Sequence, residues 1–446
     1  MKPIIFLPIE VKNREFYSKL FFASRALRNN YDCFIGNKIA VNRAIKYFGN
    51  GIYFYKSMNF YDFKHIEYVK SKGNIYIVQD EEGSVLNKDE FKNFIKIRGS
   101  DKNLKLIDRF YTWGEFDNKI WQKLYKNHKD KFLLTGSPRI DIWKEKIANK
   151  IYSNDIQRIK KNFDKFTLIL SSGISSKLEL KKKIKIDRIT RSPLGESEQK
   201  ILQRNVWQLR INKDLFQLAE KLALKFPNKK FIFRPHPDEN IDDYKSKNPK
   251  KISNLSIVSS YDVTPWIISS ERIIQSCSTV AIQANFLKKQ IISFDPIYLK
   301  NVHRNFPNKF GINFKTQESL IKFFNFKNIK RKNNNLLLNR FLASKKYCSD
   351  LILKDINKLK KKKKFKINYL KFLFLGFLFN LKDKIIDLNA KKDHRSFYEG
   401  RRSSKQKNPG IDKKEIIEFY KIIDKNNNFK VKTLLNNGHL IQNNKN

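Results

Sequence analysis

Short apolar runs alternate with longer amphipathic stretches through the first two thirds of the chain, and that alternation constrains the fold more than any other feature. Residues 4–7, 32–35, 75–79 and 132–135 read as strands, and 14–29 and 38–48 as helices between the first of them. Strands separated by helices pair in parallel, with helices covering both faces of the sheet. A polar, lysine-rich helix near 140–161 separates this block from a second one. There 167–170 reads as a strand, 201–225 as a long helix, 230–233 as a strand, 272–275 as a strand leading into a helix through Leu287, and 291–294 as a strand. Two Rossmann-like halves are the economical reading, 1–155 and 156–345, and a length of 446 residues accommodates them with a basic C-terminal extension at 346–446.

Composition excludes some classes. A hydrophobic fraction of 40%, with 18 Tyr and 37 Phe, is too high for a disordered chain. The formal charge of +50 would suit a nucleic-acid binder, but it is spread along the chain, and no RNP, KH or helix-turn-helix pattern accompanies it. No nucleic-acid partner is expected. Cys33, Cys277 and Cys348 lie far apart with no CxxC pair, which points to a reducing compartment and to neither a disulfide framework nor a zinc site. The initial apolar run is broken by Pro8 and ended by Glu10, so it reads as a first strand rather than an export signal. A cytoplasmic protein is expected.

The last hundred residues differ in kind. Residues 359–366 are polybasic, and 369–381 form a dense apolar run of 13 residues interrupted by Lys371 and Asn380. A bilayer span needs ~20 residues, so the expectation is an interfacial helix beside a lysine cluster, on an anionic membrane surface, with a buried helix as the competing reading. From Lys391 the tail is expected to be loosely ordered apart from a helix at 413–424.

Several polar segments follow predicted strands, where open α/β sheets bind their ligands. Arg234-Pro235-His236-Pro237 ends the 230–233 run; its prolines stiffen an extended edge that presents a guanidinium fork and an imidazole. Asp80-Glu81-Glu82-Gly83 follows 75–79, and crowded carboxylates raise one another's pKa, as a general base requires, while Gly83 permits a tight turn. Ser276, Ser278 and Thr279 stand where a strand turns into a helix, with free amides expected beside the hydroxyls; Ser171 and Ser172 hold the matching position after 167–170. Gly136 and Pro138 set a turn after 132–135, and Asp141 is expected to stabilise the helix that opens there. The segment 177–198 reads as a lysine-bearing loop. Taken singly, each of these is equally an ordinary turn or helix cap.

Their order adds information. Ile9-Glu10-Val11-Lys12-Asn13-Arg14-Glu15-Phe16, the Asp80-Glu81-Glu82-Gly83 turn, Tyr111-Thr112-Trp113-Gly114-Glu115, Gly136-Ser137-Pro138-Arg139-Ile140-Asp141, Arg234-Pro235-His236-Pro237 and the serine segment at 276–279 occur in the sequence seen in bacterial surface carbohydrate biosynthesis proteins, which this chain resembles over residues 1–345. The acidic turn, the His-Pro pair and the serine segment also resemble motifs of bacterial sialyltransferases and capsule Kdo transferases. That resemblance implies a GT-B fold, with two Rossmann-like domains facing a cleft, and an inverting, metal-independent glycosyltransferase needing no cofactor. It implies a nucleotide-sugar donor, CMP-linked in those enzymes, and a saccharide or lipid-linked saccharide acceptor. Glu81 or Glu82 would match the base, with Asp80 as the third carboxylate of a doubled turn. His236 would contact the donor phosphate beside Arg234, and Ser276, Ser278 and Thr279 would bind it with their hydroxyls. A polyol-phosphate transferase using CDP-glycerol is the alternative.

Overall fold

The computed structural model describes residues 2–48, 50–59, 62–81, 86, 88–171, 198–236, 239, 241–246, 252–260, 262–296, 306–324, 340–341, 346–359, 374, 376–382, 385, 409–424 and 429–443. Glu82, Gly83, Ser172, Pro237 and residues 177–197 lie outside them. The chain divides into two compact units, one of residues 1–82, 98–142 and 339–446, the other of 83–97 and 143–338. The described residues of 346–443 group with the first unit, and residues 143–155 with the second.

The first unit is built on β1 (Ile4–Ile9), β2 (Asp32–Asn37), β3 (Ile52–Tyr55), β4 (Ile75–Gln79), β5 (Arg109–Thr112) and β6 (Phe132–Leu134). All of these pair in parallel, in the spatial order β2-β1-β3-β4-β5-β6. Every residue of β1 is buried, as a central strand covered on both faces must be, which is why its sequence is a continuous apolar run rather than an alternating one. The helix Lys12–Arg28 buries Phe16, Leu20, Phe21, Ala23 and Leu27, together with the polar Glu15, Ser18, Lys19 and Ser24. The tail differs from expectation. A helix at Lys413–Ile423 with a complete capping box precedes a hairpin of β13 (Phe429–Leu435) and β14 (Gly438–Asn443), and β14 extends the sheet by pairing antiparallel with β2.

The second unit carries β7 (Phe166–Leu170), β8 (Lys230–Arg234), β9 (Leu255–Ile257), β10 (Arg272–Gln275), β11 (Gln290–Phe294) and β12 (Ile312–Phe314), an all-parallel sheet in the order β12-β11-β10-β7-β8-β9. The long helix Glu198–Lys225 lays Trp207, Ile211, Leu215, Leu218 and Leu222 against Phe231 and Phe233. The single helix expected near 140–161 is instead three short ones, Pro138–Trp143, Glu145–Ile151 and Ser153–Phe163, broken at Lys144 and Tyr152. Each unit is therefore a Rossmann-like α/β layer, one all-parallel and one with an antiparallel edge.

Candidate active site

In the second sheet the chain runs outward from β7 to β8 and β9, then returns to β10 on the other side of β7. The ends of β7 and β10 thus frame a topological switch point, the usual ligand position in an open α/β sheet. Register places Leu170 opposite both Arg234 and Gln275, so Ser171, Pro235 and Ser276 leave three neighbouring strands at one level. A carboxylate that the sequence reading passed over organises this edge. Glu239 receives hydrogen bonds from the Ser171 hydroxyl, the His236 amide (2.9 Å), Asn212 Nδ2 (2.8 Å) and the Tyr244 hydroxyl (2.6 Å). The His236 amide also donates to Ser171 Oγ at 2.8 Å, and the Glu239 amide returns a bond to the His236 carbonyl. His236 is held by its backbone, leaving its half-buried ring to be aimed by a fixed turn. Burial and the Glu239 carboxylate push the Tyr244 phenol far up, so it stays a donor. Removing the Glu239 carboxylate orphans several donors at once, and Glu239→Leu is expected to lower stability by about 2–3 kcal/mol in thermal or urea unfolding; an unchanged midpoint would refute the bracing role.

Arg234 does not present its whole fork outward. The side chain is buried and its NH1 donates to the Ser260 carbonyl at 2.6 Å, bracing the loop after β9. Burial lowers its pKa to about 10 against the pull of Asp262, and it keeps its charge at neutral pH. The amides after β10 are also less free than expected. Cys277 N donates to Asn308 Oδ1 (2.6 Å), Ser278 N to Gln275 Oε1 (2.8 Å) and Val280 N to Ser278 Oγ (3.3 Å), so Ser278 acts as a local cap. Cys277 sits at φ 52°, in the left-handed region, making the sharp exit from the strand. Thr279 is exposed, and Ser276 is fully buried with its hydroxyl unpartnered among the described residues.

The first sheet has its own switch point, between the ends of β1 and β3, where the chain leaves β1 first toward β2 and then crosses to β3. Glu10 and Lys56 follow those strands and pair at 2.7 Å, with Tyr55 donating to Glu10 at 2.6 Å and Lys38 lying 3.5 Å away. Burial alone would raise the Glu10 carboxyl, but Lys56, Tyr55 and Lys38 outweigh it and hold the pKa at about 2. Glu15, fully buried in the first turn of its helix, accepts the amides of Glu10 (3.0 Å) and Val11 (3.3 Å) and pairs with Arg14. The segment Glu10 to Phe16 quoted above is therefore a charged helix start with its own acceptor, not a solvated one.

Of the acidic turn, Asp80 and Glu81 are described and they part company. Asp80 is buried in an ion pair with Arg98 at 2.7 Å, while its carbonyl receives Trp113 Nε1. Glu81 turns toward the charged cluster. Its Oε2 is enclosed without a hydrogen-bond partner among the described residues, although the residue as a whole is only half-buried. Burial and then the neighbouring Glu15 raise its pKa, against Arg139, Lys19 and Arg14. Lys19 is itself buried, its Nζ 4.2 Å from the Phe54 ring centroid, and burial lowers its pKa.

The remaining motifs are architectural. Gly136 takes φ 77° and its carbonyl accepts Gln79 Nε2 at 2.6 Å; Pro138 opens the next helix behind Ser137, whose hydroxyl accepts the Arg139 amide at 3.2 Å. Gly114 is required because a Cβ there would lie 1.9 Å from the Arg340 carbonyl oxygen. Asp141 stands in the first turn of its own helix, as expected, and serves a second helix as well. Its carboxylate accepts Cys348 N (2.8 Å), Ser349 N (2.8 Å) and Ser349 Oγ (2.7 Å), capping the helix Cys348–Ile356 from 207 residues away in sequence.

Comparison with known proteins gives no family model and no curated protein that matches this chain. Among solved structures, MnaA of S. aureus with UDP matches at 10% identity and a TM-score of 0.47, over 82% of this chain and all of that one. The wall teichoic acid polymerase TagF (H548A) matches at 14% identity and TM-score 0.46, over 81% of this chain and 90% of that one. UDP-GlcNAc 2-epimerase from Neisseria meningitidis matches at 11% identity and TM-score 0.47, over 80% of this chain and all of that one. At this level the likenesses carry no statement about chemistry.

Proposed function

We propose that this protein is a glycosyltransferase of surface-polysaccharide biosynthesis, a member of the surface carbohydrate biosynthesis proteins that its motifs resemble, with a GT-B fold. The observation that supports it most is the edge formed by Ser171, His236 and Ser276 on adjacent strand ends, with a buried hydroxyl at Ser276 that has no partner among the described residues. A donor's phosphates would take the hydroxyls of Ser276, Ser278 and Thr279 and the imidazole of His236, with Arg234 supplying positive charge from behind the loop it braces. Glu81 would take the proton of an acceptor hydroxyl as that oxygen attacks the anomeric carbon. The nucleotide leaves from the opposite face and the configuration inverts. The acceptor would be a saccharide or a lipid-linked saccharide in the cytoplasm.

Thermal shifts with CMP, CDP, UDP, GDP and CDP-glycerol test this reading. One nucleotide is expected to raise the midpoint saturably, by the equivalent of about 2.7 kcal/mol at a hundred times its dissociation constant. His236→Ala is expected to abolish transfer and most of that shift while unfolding at the wild-type temperature without ligand. A shift with CDP-glycerol alone would favour polyol-phosphate transfer. Salt-sensitive binding of arbitrary RNA with no nucleotide shift would overturn the enzymatic reading.

A further inference from the structure

Five of the large hydrophobic side chains left exposed among the described residues lie on one short stretch: Phe374 (65% exposed), Phe377 (65%), Leu378, Leu381 and Ile385. The described residues of 374–385 are helical. At about 100° per residue, these five side chains fall within an arc of about 100° on one face. Gly376, Phe379 and Asn380 point roughly the opposite way, and these make the contacts with the rest of the unit. Gly376 approaches the hairpin so closely that a Cβ would lie 2.7 Å from the Leu434 carbonyl oxygen; Asn380 Oδ1 accepts the Asn436 amide at 2.8 Å; the Arg43 guanidinium stands 4.5 Å from the Phe379 ring centroid. The helix is fastened by its polar and glycine face and turns its phenylalanines and leucines outward, the reverse of a helix that covers a core. Phe374, Phe377 and Leu378 thus do not pack inward, and residues 369–373 and 375 lie outside the described set.

We propose that this face is a docking surface for an anionic lipid bilayer. Charge decides the occupant. Six lysines occur between Lys360 and Lys366, just ahead of the apolar face in sequence, within a chain of formal charge +50, and Lys382 on the helix is exposed. A second copy of so basic a chain would bring like charges together, whereas a bilayer of acidic lipids attracts a chain of this charge and receives the aromatic face beside Lys382. Among the described residues no helix is long and apolar enough to cross a membrane, so the contact is interfacial. The inference stands on this surface alone and is independent of the enzymatic reading.

The test is co-sedimentation of the full chain with vesicles of phosphatidylglycerol and phosphatidylcholine, against phosphatidylcholine alone. Binding to the acidic vesicles is expected, weakened by salt, and Phe374→Ser/Phe377→Ser/Leu381→Ser is expected to lower it by about tenfold or more. Because these side chains are exposed, the triple variant should melt with the wild type. Should it aggregate instead, Phe377→Trp in the otherwise intact chain supplies a second readout: its added emission should shift to the blue and be quenched by brominated lipid. Equal vesicle binding by wild type and triple variant, no binding by the wild type, or an added emission that brominated lipid leaves unquenched would overturn the proposal. So would a wild-type dimer that ignores vesicles and that the triple variant dissolves into monomers, since the face would then join two copies.

Discussion

Asp141→Ala is expected to destabilise the protein by about 4 kcal/mol, lowering the unfolding midpoint by roughly 10 °C. The aspartate leaves three donors behind: the amides of Cys348 and Ser349 and the Ser349 hydroxyl, all within 2.8 Å of its carboxylate. Asp141, Ser349 and Cys348 are 0%, 0% and 1% exposed, so water cannot take over. A charged acceptor at a helix N-terminus also loses its favourable dipole interaction. The helix that frays first, Cys348–Ile356, is itself a clamp. Its Asp350 is held by Arg25 through two bonds of 2.7 and 2.8 Å, and its Asp355 receives the Tyr111 hydroxyl at 3.0 Å. Asp141→Asn should be nearly as damaging, because the amide turns a donor toward donors. Calorimetry of both variants is the measurement, and a midpoint within about 2 °C of wild type would mean that the helix start tolerates solvent.

The same residue shows where sequence reasoning stops. Gly136, Pro138 and the strand before them act through neighbours a few positions away, and local chemistry announces them. The partners of Asp141 lie in a segment with no local signal at all. Strand β1 and the helix after it were legible because burial on both faces writes an unbroken apolar run, whereas β3, β9 and β12 are three or four residues long and give no periodicity to read. The C-terminal hairpin is different, since its signal was present. Asn436 and Asn437 precede Gly438 between two apolar runs, and Asn437 adopts φ 58°, the left-handed conformation that asparagine tolerates in turns. An asparagine-rich context hid it. Glu239 stands three residues beyond His236 in the same stretch and could have been tested as a carboxylate folding back on the histidine amide; Asn212 and Tyr244 complete its shell from other elements, and only the fold brings them there.

Glu81→Gln is expected to reduce transfer by about 10² to 10⁴-fold while leaving nucleotide binding unchanged, the pattern of a lost proton acceptor rather than a lost ligand contact. Glutamine keeps the shape and loses the basicity. Asp80→Asn should behave differently, lowering stability through the buried Arg98 it abandons. A pH series supplies the independent readout. Burial and Glu15 raise the Glu81 pKa above its ordinary 4.5, so the folded state holds this proton more tightly than the unfolded chain does. Below the unfolded value the carboxyl is protonated in both states and costs nothing. As pH rises above it, the unfolded chain ionises freely while the folded protein must either keep the proton or bury a charge beside Glu15, and wild-type stability falls until the folded group has also ionised. Glutamine mimics the protonated form throughout. The variant should therefore melt with the wild type in acid and above it at neutral pH, gaining stability where it loses activity, as removal of a strained catalytic group does. Full turnover in Glu81→Gln would remove it as the base, and a melting difference that shrinks as pH rises would mean that Arg139, Lys19 and Arg14 hold the carboxylate ionised after all.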